Sequence, residues 1–261
     1  MVSVVIRNKN QEKALRFLLK DLRERYADDV AEIIVLDNLS TDGCRDVSEQ
    51  YGARFVTIEK FSYGESANVA AREASHDIVV LFSAHAFPVS HDFFKLIIDK
   101  FKGREEELAG LRCIHNAHDY IAYINNLSSQ DDYNKAGVMF AGSAFNKRIW
   151  QKHPFKSDVP TFEDKEWSKR VLKEGFKIEF VPSIFCYDIK RDKKQLFFRE
   201  KNEIVGGYQL HYTEQSLAKT LKYTVVVWWR LTKNYAVDLF YLAKRTLFMF
   251  GFLANKPEQF K

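Results

Sequence analysis

The first 82 residues alternate short apolar runs with amphipathic stretches, and that rhythm constrains the fold more than any other feature. Val2–Ile6 is an apolar run of the kind a strand needs when both its faces are covered. Gln11–Tyr26 follows, with Ala14, Leu15, Leu18, Leu19 and Leu22 at helical spacing and charges between them. Glu32–Asp37 reads as a second strand and runs into the turn-forming Asn38-Leu39-Ser40-Thr41-Asp42-Gly43. A short helix, a strand at Ala53–Ile58, a helix at Glu65–Ser75 and a buried strand at Asp77–Phe82 complete the series. This order predicts an α/β fold with a mostly parallel sheet and flanking helices. Ligands of such sheets gather at the carboxyl ends of the strands. Here those ends are Arg7-Asn8, Asp37-Asn38 and Ser83-Ala84-His85.

Further along, residues 117–134 are rich in Asn, Ser and Asp and read as a long loop over the site. Val138–Phe145 reads as a strand, and Phe162–Glu174 as a helix with Trp167, Val171 and Leu172 on its apolar stripe. Gly175 stands where a helix C-cap belongs, ahead of a strand at Lys177–Val181. Beyond Asp188 the composition changes to an aromatic, basic, helical stretch, Gln195–Phe260, behind the charged run Lys190–Lys194. The expected division is therefore a domain over 1–188 and a helical extension over 189–261.

No window of the extension reaches the roughly 18 uninterrupted apolar residues of a spanning helix. It is read as helices packed on the domain, lying at a membrane surface or forming an oligomer contact. The 40 Lys and Arg against 35 Asp and Glu leave a net charge of +5. That suits an anionic ligand or membrane surface and is too little to point to nucleic acid. Cys44, Cys113 and Cys186 lie far apart and in odd number, which argues against a disulfide framework. With a strand-like Met1–Ile6 in place of a leader, the expected location is cytoplasmic, at most peripheral to the inner face of a membrane.

Four segments together carry a resemblance. They are Val2–Asn10, Ile33–Gly43, Phe61 through Asn68 into Ile78–Pro88, and Phe162-Glu163-Asp164-Lys165-Glu166-Trp167-Ser168-Lys169-Arg170. In order and spacing, residues 2–188 resemble family 2 glycosyltransferases. The resemblance implies a GT-A fold that moves a sugar from a nucleotide diphosphate donor to an acceptor hydroxyl, with inversion at the anomeric carbon. Such chemistry needs a carboxylate to take the hydroxyl proton and positive charge to neutralise the departing diphosphate. The implied acceptor is a surface polysaccharide or a lipid-linked glycan.

Carried over residue by residue, the resemblance makes Asp164 the general base, with Glu163 and Trp167 beside it in the substrate site. Asp37 is expected at the nucleoside, with Arg7 and Asn8 close by. Asn68 and Arg72, four apart on a helix, and Ser83 are further candidate donor contacts. Each has a plainer alternative: Asp37 as a turn cap, Asp164 and Glu163 as acidic residues of a first helical turn, Trp167 as core. The family keeps an Asp-x-Asp where this chain reads Ser83-Ala84-His85, and many relatives carry a metal-binding His where it reads Phe185-Cys186-Tyr187-Asp188. His85 with Asp188 is the replacement ligand pair for a divalent cation, and a nitrogen ligand suits manganese better than magnesium. Neutralisation by Arg or Lys without metal is the alternative. A third reading is a non-catalytic nucleotide-sugar-binding or assembly subunit that lost the motif. His115 and His118 lack a third ligand and are set aside.

Overall fold

A computed structural model describes residues 1–214 and 216–259. Gln215, Phe260 and Lys261 of the expected extension lie outside the described residues. The elements in chain order are β1 (Val2–Asn8), α1 (Glu12–Arg25), β2 (Val30–Asp37), α2 (Cys44–Gln50), β3 (Arg54–Thr57), α3 (Tyr63–Glu73), β4 (Ile78–Ser83), β5 (Ala86–Pro88) and α4 (Phe93–Phe101). They continue with β6 (Leu108–Ile114), α5 (Ala117–Ile124), α6 (Tyr133–Ala136), β7 (Gly142–Asn146), α7 (Lys147–Lys152), α8 (Glu163–Lys173), β8 (Lys177–Tyr187), α9 (Lys193–His211) and α10 (Leu217–Ala254).

Eight strands form one sheet in the order β3-β2-β1-β4-β7-β6-β8-β5. The β1–β2, β2–β3, β1–β4 and β6–β8 pairs are parallel. The β4–β7, β6–β7 and β5–β8 pairs are antiparallel. The first half thus has the parallel arrangement its apolar runs predict, while β7 enters the sheet in the opposite sense. Successive strand residues face opposite sides. Val2, Val4, Ile6, Val80 and Phe82 join one apolar cluster with Leu15, Leu18 and Leu19 of α1 and Phe94 of α4. Val5, Val79 and Leu81 join another with Ala67, Ala70, Ala71 and Ala74 at α3 and Trp167 and Val171 of α8. Both faces are covered, which is why these strands are apolar almost throughout.

Several expectations are corrected here. Residues 117–134 are not one loop, because Asn116 caps α5 by accepting from the Asp119 N–H at 2.9 Å. The Asn116-x-x-Asp119 spacing is a helix-start signal that the polar composition concealed. The β7 strand covers Gly142–Asn146 rather than Val138–Phe145, and β8 runs on to Tyr187. The buried run Leu108–Ile114 is a central strand that the sequence reading passed over.

The chain divides into compact units Met1–His211 and Tyr212–Lys261. The first therefore includes α9, which the boundary at 188 had assigned to the extension. The reason is contact: Lys169 of α8 donates to the Leu210 carbonyl at 3.2 Å, and Tyr133 Oη lies 3.2 Å from His211 Nδ1. The second unit contains α10, a single helix of 38 residues in which no residue is buried.

Candidate active site

Strand register sets the site. Parallel pairing aligns Asn8 with Asp37 and Arg7 with Ser83, so the carboxyl ends of β1, β2 and β4 lie side by side. Asp37 is 2% exposed. Its Oδ1 accepts from Asn8 Nδ2 at 2.8 Å and Ser40 Oγ at 2.6 Å, and its Oδ2 from the Ser40 N–H at 2.7 Å. The carboxylate thus builds the turn after β2. A carboxylate has about four lone-pair positions, so capping leaves acceptor capacity for a hydroxyl.

Arg7 projects from the end of β1 into a buried junction. Its Nη1 donates to Glu163 Oε1 at 2.9 Å and to Ser66 Oγ at 3.4 Å, and its Nη2 donates to the Phe140 carbonyl. Burial raises the Glu163 pKa, the neighbouring Asp164 adds to the rise, and Arg7 opposes it. The guanidinium also stands 5.6 Å from the centre of the Tyr63 ring.

Helix α8 begins at this junction. Phe162, its N-cap, has φ of 64°, a left-handed conformation that costs a residue with a side chain about 1–3 kcal/mol. Gly206 of α9 packs on that turn, for a Cβ there would stand 2.8 Å from Thr161 Cγ2 and 2.9 Å from Phe162 Cδ2. No side chain caps α8, but Glu163, Asp164 and Glu166 place negative charge in its first turn. The half-buried Asp164 accepts from the Phe140 N–H at 3.2 Å and the Lys165 N–H at 2.8 Å. Lys165 donates to the Gly137 and Val138 carbonyls at 3.1 and 2.9 Å, and burial lowers its pKa to about 8. Segment 137–140 is therefore sewn to α8 on one side and to Arg7 on the other.

His85 follows β4. Its Nδ1 lies 2.8 Å from Gln11 Oε1, which makes Nδ1 the protonated nitrogen and leaves Nε2 as a lone pair. That Nε2 is buried and has no hydrogen-bond partner among the described residues. Burial, then Arg191 and Arg7, lower the His85 pKa to about 4, while Asp188 opposes them. The backbone of Asp188 donates to the His85 carbonyl at 2.9 Å, and the rings of His85 and Tyr187 are 4.8 Å apart. Arg191 donates to Tyr187 Oη at 2.9 Å. Two sequence candidates thus adjoin, in the company of a cation the sequence reading did not single out.

Other candidates lie elsewhere. Asn68 is saturated by protein: Nδ2 donates to the Phe155 carbonyl at 2.9 Å, and Oδ1 accepts from Trp150 Nε1 and the Phe155 N–H. Arg72 is exposed and pairs with Glu65 at 2.5 Å. Trp167 is 0% exposed and donates to the His153 carbonyl at 2.7 Å, so it cannot serve as a sugar platform. A further cluster was missed. Asp119 accepts from Arg112 at 2.8 Å and contacts His115 Nδ1, and its pKa falls to about 2, with hydrogen bonding and opposite charge outweighing burial. His115, set aside above for want of a third metal ligand, is part of this network.

Residues 3–162 match the model of the family described as Glycosyl transferase family 2. The chain belongs to glycosyl transferase family 2. It is a glycosyltransferase with a GT-A fold. A Methanococcus voltae relative, dolichyl N-acetyl-alpha-D-glucosaminyl phosphate 3-beta-D-2,3-diacetamido-2,3-dideoxy-beta-D-glucuronosyltransferase, is 27% identical over 97% of this chain and 78% of its own. Among solved structures, the mannosyltransferase PcManGT of Pyrobaculum calidifontis, in complex with GDP-Man and Mn2+, superposes with a TM-score of 0.65 at 15% identity. That match covers 84% of this chain and 66% of the other, just under two thirds. Glucosyl-3-phosphoglycerate synthase of Mycobacterium tuberculosis, in complex with Mn2+ and UDP-glucose, has a TM-score of 0.63 at 16% identity, covering 83% of this chain and 80% of that one.

The family relation raises the question of a divalent ion. No group of three or more His, Cys, Asp and Glu side chains with metal-ligand spacing occurs among the described residues. The unpartnered Nε2 of His85 is nonetheless the donor a borderline ion takes, and the Asp188 backbone N–H bonds the His85 carbonyl. That nitrogen fits one ligand position of such an ion.

Proposed function

We propose that this glycosyltransferase inverts the anomeric centre and acts on a lipid-linked glycan acceptor, with Asp164 as general base. The observation that carries the reading is the Asp164 carboxylate itself. It stands half-exposed at the start of α8, held by two backbone N–H groups that leave lone pairs for an incoming hydroxyl. Direct displacement needs that proton removed as the oxygen attacks, and a fixed carboxylate supplies the step. Glu163 is a poorer base, because Arg7 already occupies its Oε1 in a buried pair.

Asp37 and Asn8 are assigned to the nucleoside. Arg7 is assigned to holding the base-bearing turn, through Glu163 and the Phe140 carbonyl. His85 Nε2 and Asp188 would hold a divalent cation, which, when bound, supplies positive charge to the leaving diphosphate. Arg191 adds fixed positive charge beside them. The lipid-linked acceptor follows the printed activity of the Methanococcus voltae relative, which matches nearly the whole chain.

The test incubates the full chain with a panel of nucleotide sugars and a polyprenyl-phosphate-linked sugar acceptor, and reads the anomeric configuration of the product. Transfer with inversion is expected. Donor binding with neither transfer nor donor hydrolysis would favour a non-catalytic subunit, the reading suggested by the missing Asp-x-Asp.

A further inference from the structure

Helix α10 poses a problem that the transfer chemistry does not address. Its 38 residues would stretch about 57 Å, yet none of them is buried. Trp228 and Trp229 are each 63% exposed, with Leu221, Leu239, Phe250 and Leu253 also open. Left in water, so much apolar surface favours association with something. No helix among the described residues is long and apolar enough to cross a membrane.

The order of residues around the helix says what covers it. At about 100° per residue, an arc of about 160° carries Leu217, Leu221, Val225, Trp228, Leu231, Tyr235, Leu239, Leu242, Phe250 and Leu253 without a single charge. Lys219, Lys222, Arg230, Lys233 and Lys244 fall within about 80° on the opposite side. Arg245 and Asp238 lie at one margin, so six cations face one carboxylate over the whole helix. A second copy packed on the uncharged arc would leave the basic row on the outside with almost no acid to answer it. An anionic surface answers the whole row.

We infer that α10 lies flat in the interface of an anionic lipid membrane, its uncharged arc among the acyl chains and its lysine row at the headgroups. The long stems of Lys219, Lys222, Lys233 and Lys244 reach around the helix to the phosphate level. Trp229 and Tyr241 flank the basic row, where amphipathic rings favour the boundary between headgroup and chain, and Val226, Phe240, Val237 and Phe248 fall within it. The inference rests on α10 alone and does not depend on the acceptor assigned above.

The experiment is co-sedimentation of the full chain with phosphatidylcholine vesicles, with and without phosphatidylglycerol, at low and high salt. Binding is expected only with the anionic lipid, weakened by salt and accompanied by a blue shift of tryptophan emission. Each basic side chain near such a surface is worth about fivefold in partitioning, so Lys219→Gln, Lys222→Gln, Lys233→Gln and Lys244→Gln combined should weaken binding at least about a hundredfold. Gln preserves helix propensity, and unchanged nucleotide binding would show that the catalytic unit is intact. A second variant, Trp228→Ser with Leu239→Ser, should weaken binding to the anionic vesicles without altering its salt dependence. Equal partitioning of the parent and the Gln variant would overturn the inference. So would a salt-insensitive dimer in sedimentation that buries the apolar arc and ignores vesicles.

Discussion

Arg7 and Glu163 stand 156 residues apart in sequence and 2.9 Å apart in space, with side chains only 10% and 6% exposed. The pair joins the end of β1 to the start of α8 and so ties the parallel strands to the turn that carries Asp164. Removing one partner of a buried ion pair leaves the other charge uncompensated, at a cost of about 3–5 kcal/mol. Arg7→Met is expected to lose stability of that order in a denaturant titration. Glu163→Gln, which keeps an oxygen acceptor for the guanidinium, should lose less. Two losses both below about 1 kcal/mol would remove the keystone role.

Asp164→Asn is expected to lower turnover by about 10²–10⁴-fold while donor affinity stays close to that of the parent. The amide oxygen can still accept from the Phe140 N–H, so the fold should survive. Steady-state kinetics beside nucleotide titration separates the two effects. Near-parental turnover would move the base to Glu163 or out of this turn altogether.

His85→Ala removes a buried ring nitrogen that has no hydrogen-bond partner among the described residues. Manganese binding in the presence of a nucleoside diphosphate, followed by electron paramagnetic resonance, should fall sharply in this variant, and the parent should prefer manganese to magnesium. Full parental activity in chelator, unchanged by His85→Ala, would assign the neutralising charge to Arg191.

The Asp119 carboxyl is held down to about 2, against 3.8 for a free side chain, by His115 and Arg112. The unfolded chain therefore binds the proton first, and stability rises with pH across that interval. This contribution is present in full above about pH 4 and is lost as the pH falls towards 2. It should amount to about 1–2 kcal/mol, and Asp119→Asn should flatten the acid limb of a plot of Tm against pH. An unchanged slope would show that other carboxylates govern acid unfolding.

Sequence by itself determined what local pattern can determine. The apolar runs of β1, β2 and β4 already required a sheet covered on both faces, and their ends placed Arg7, Asn8, Asp37 and Ser83 at its ligand edge. The acidic first turn of α8 was equally legible, because helix starts draw negative charge wherever they lie. Tertiary structure decided what depends on partners distant in the chain. Only folding shows that Arg7 faces Glu163 rather than solvent, that Asn68 spends its amide on Phe155 and Trp150, and that Trp167 is closed within the core. The antiparallel entry of β7 and the inclusion of α9 in the first unit belong to the same class. A side chain's neighbours in sequence report its propensity, whereas its burial and hydrogen bonds are set by residues that only the completed sheet brings beside it.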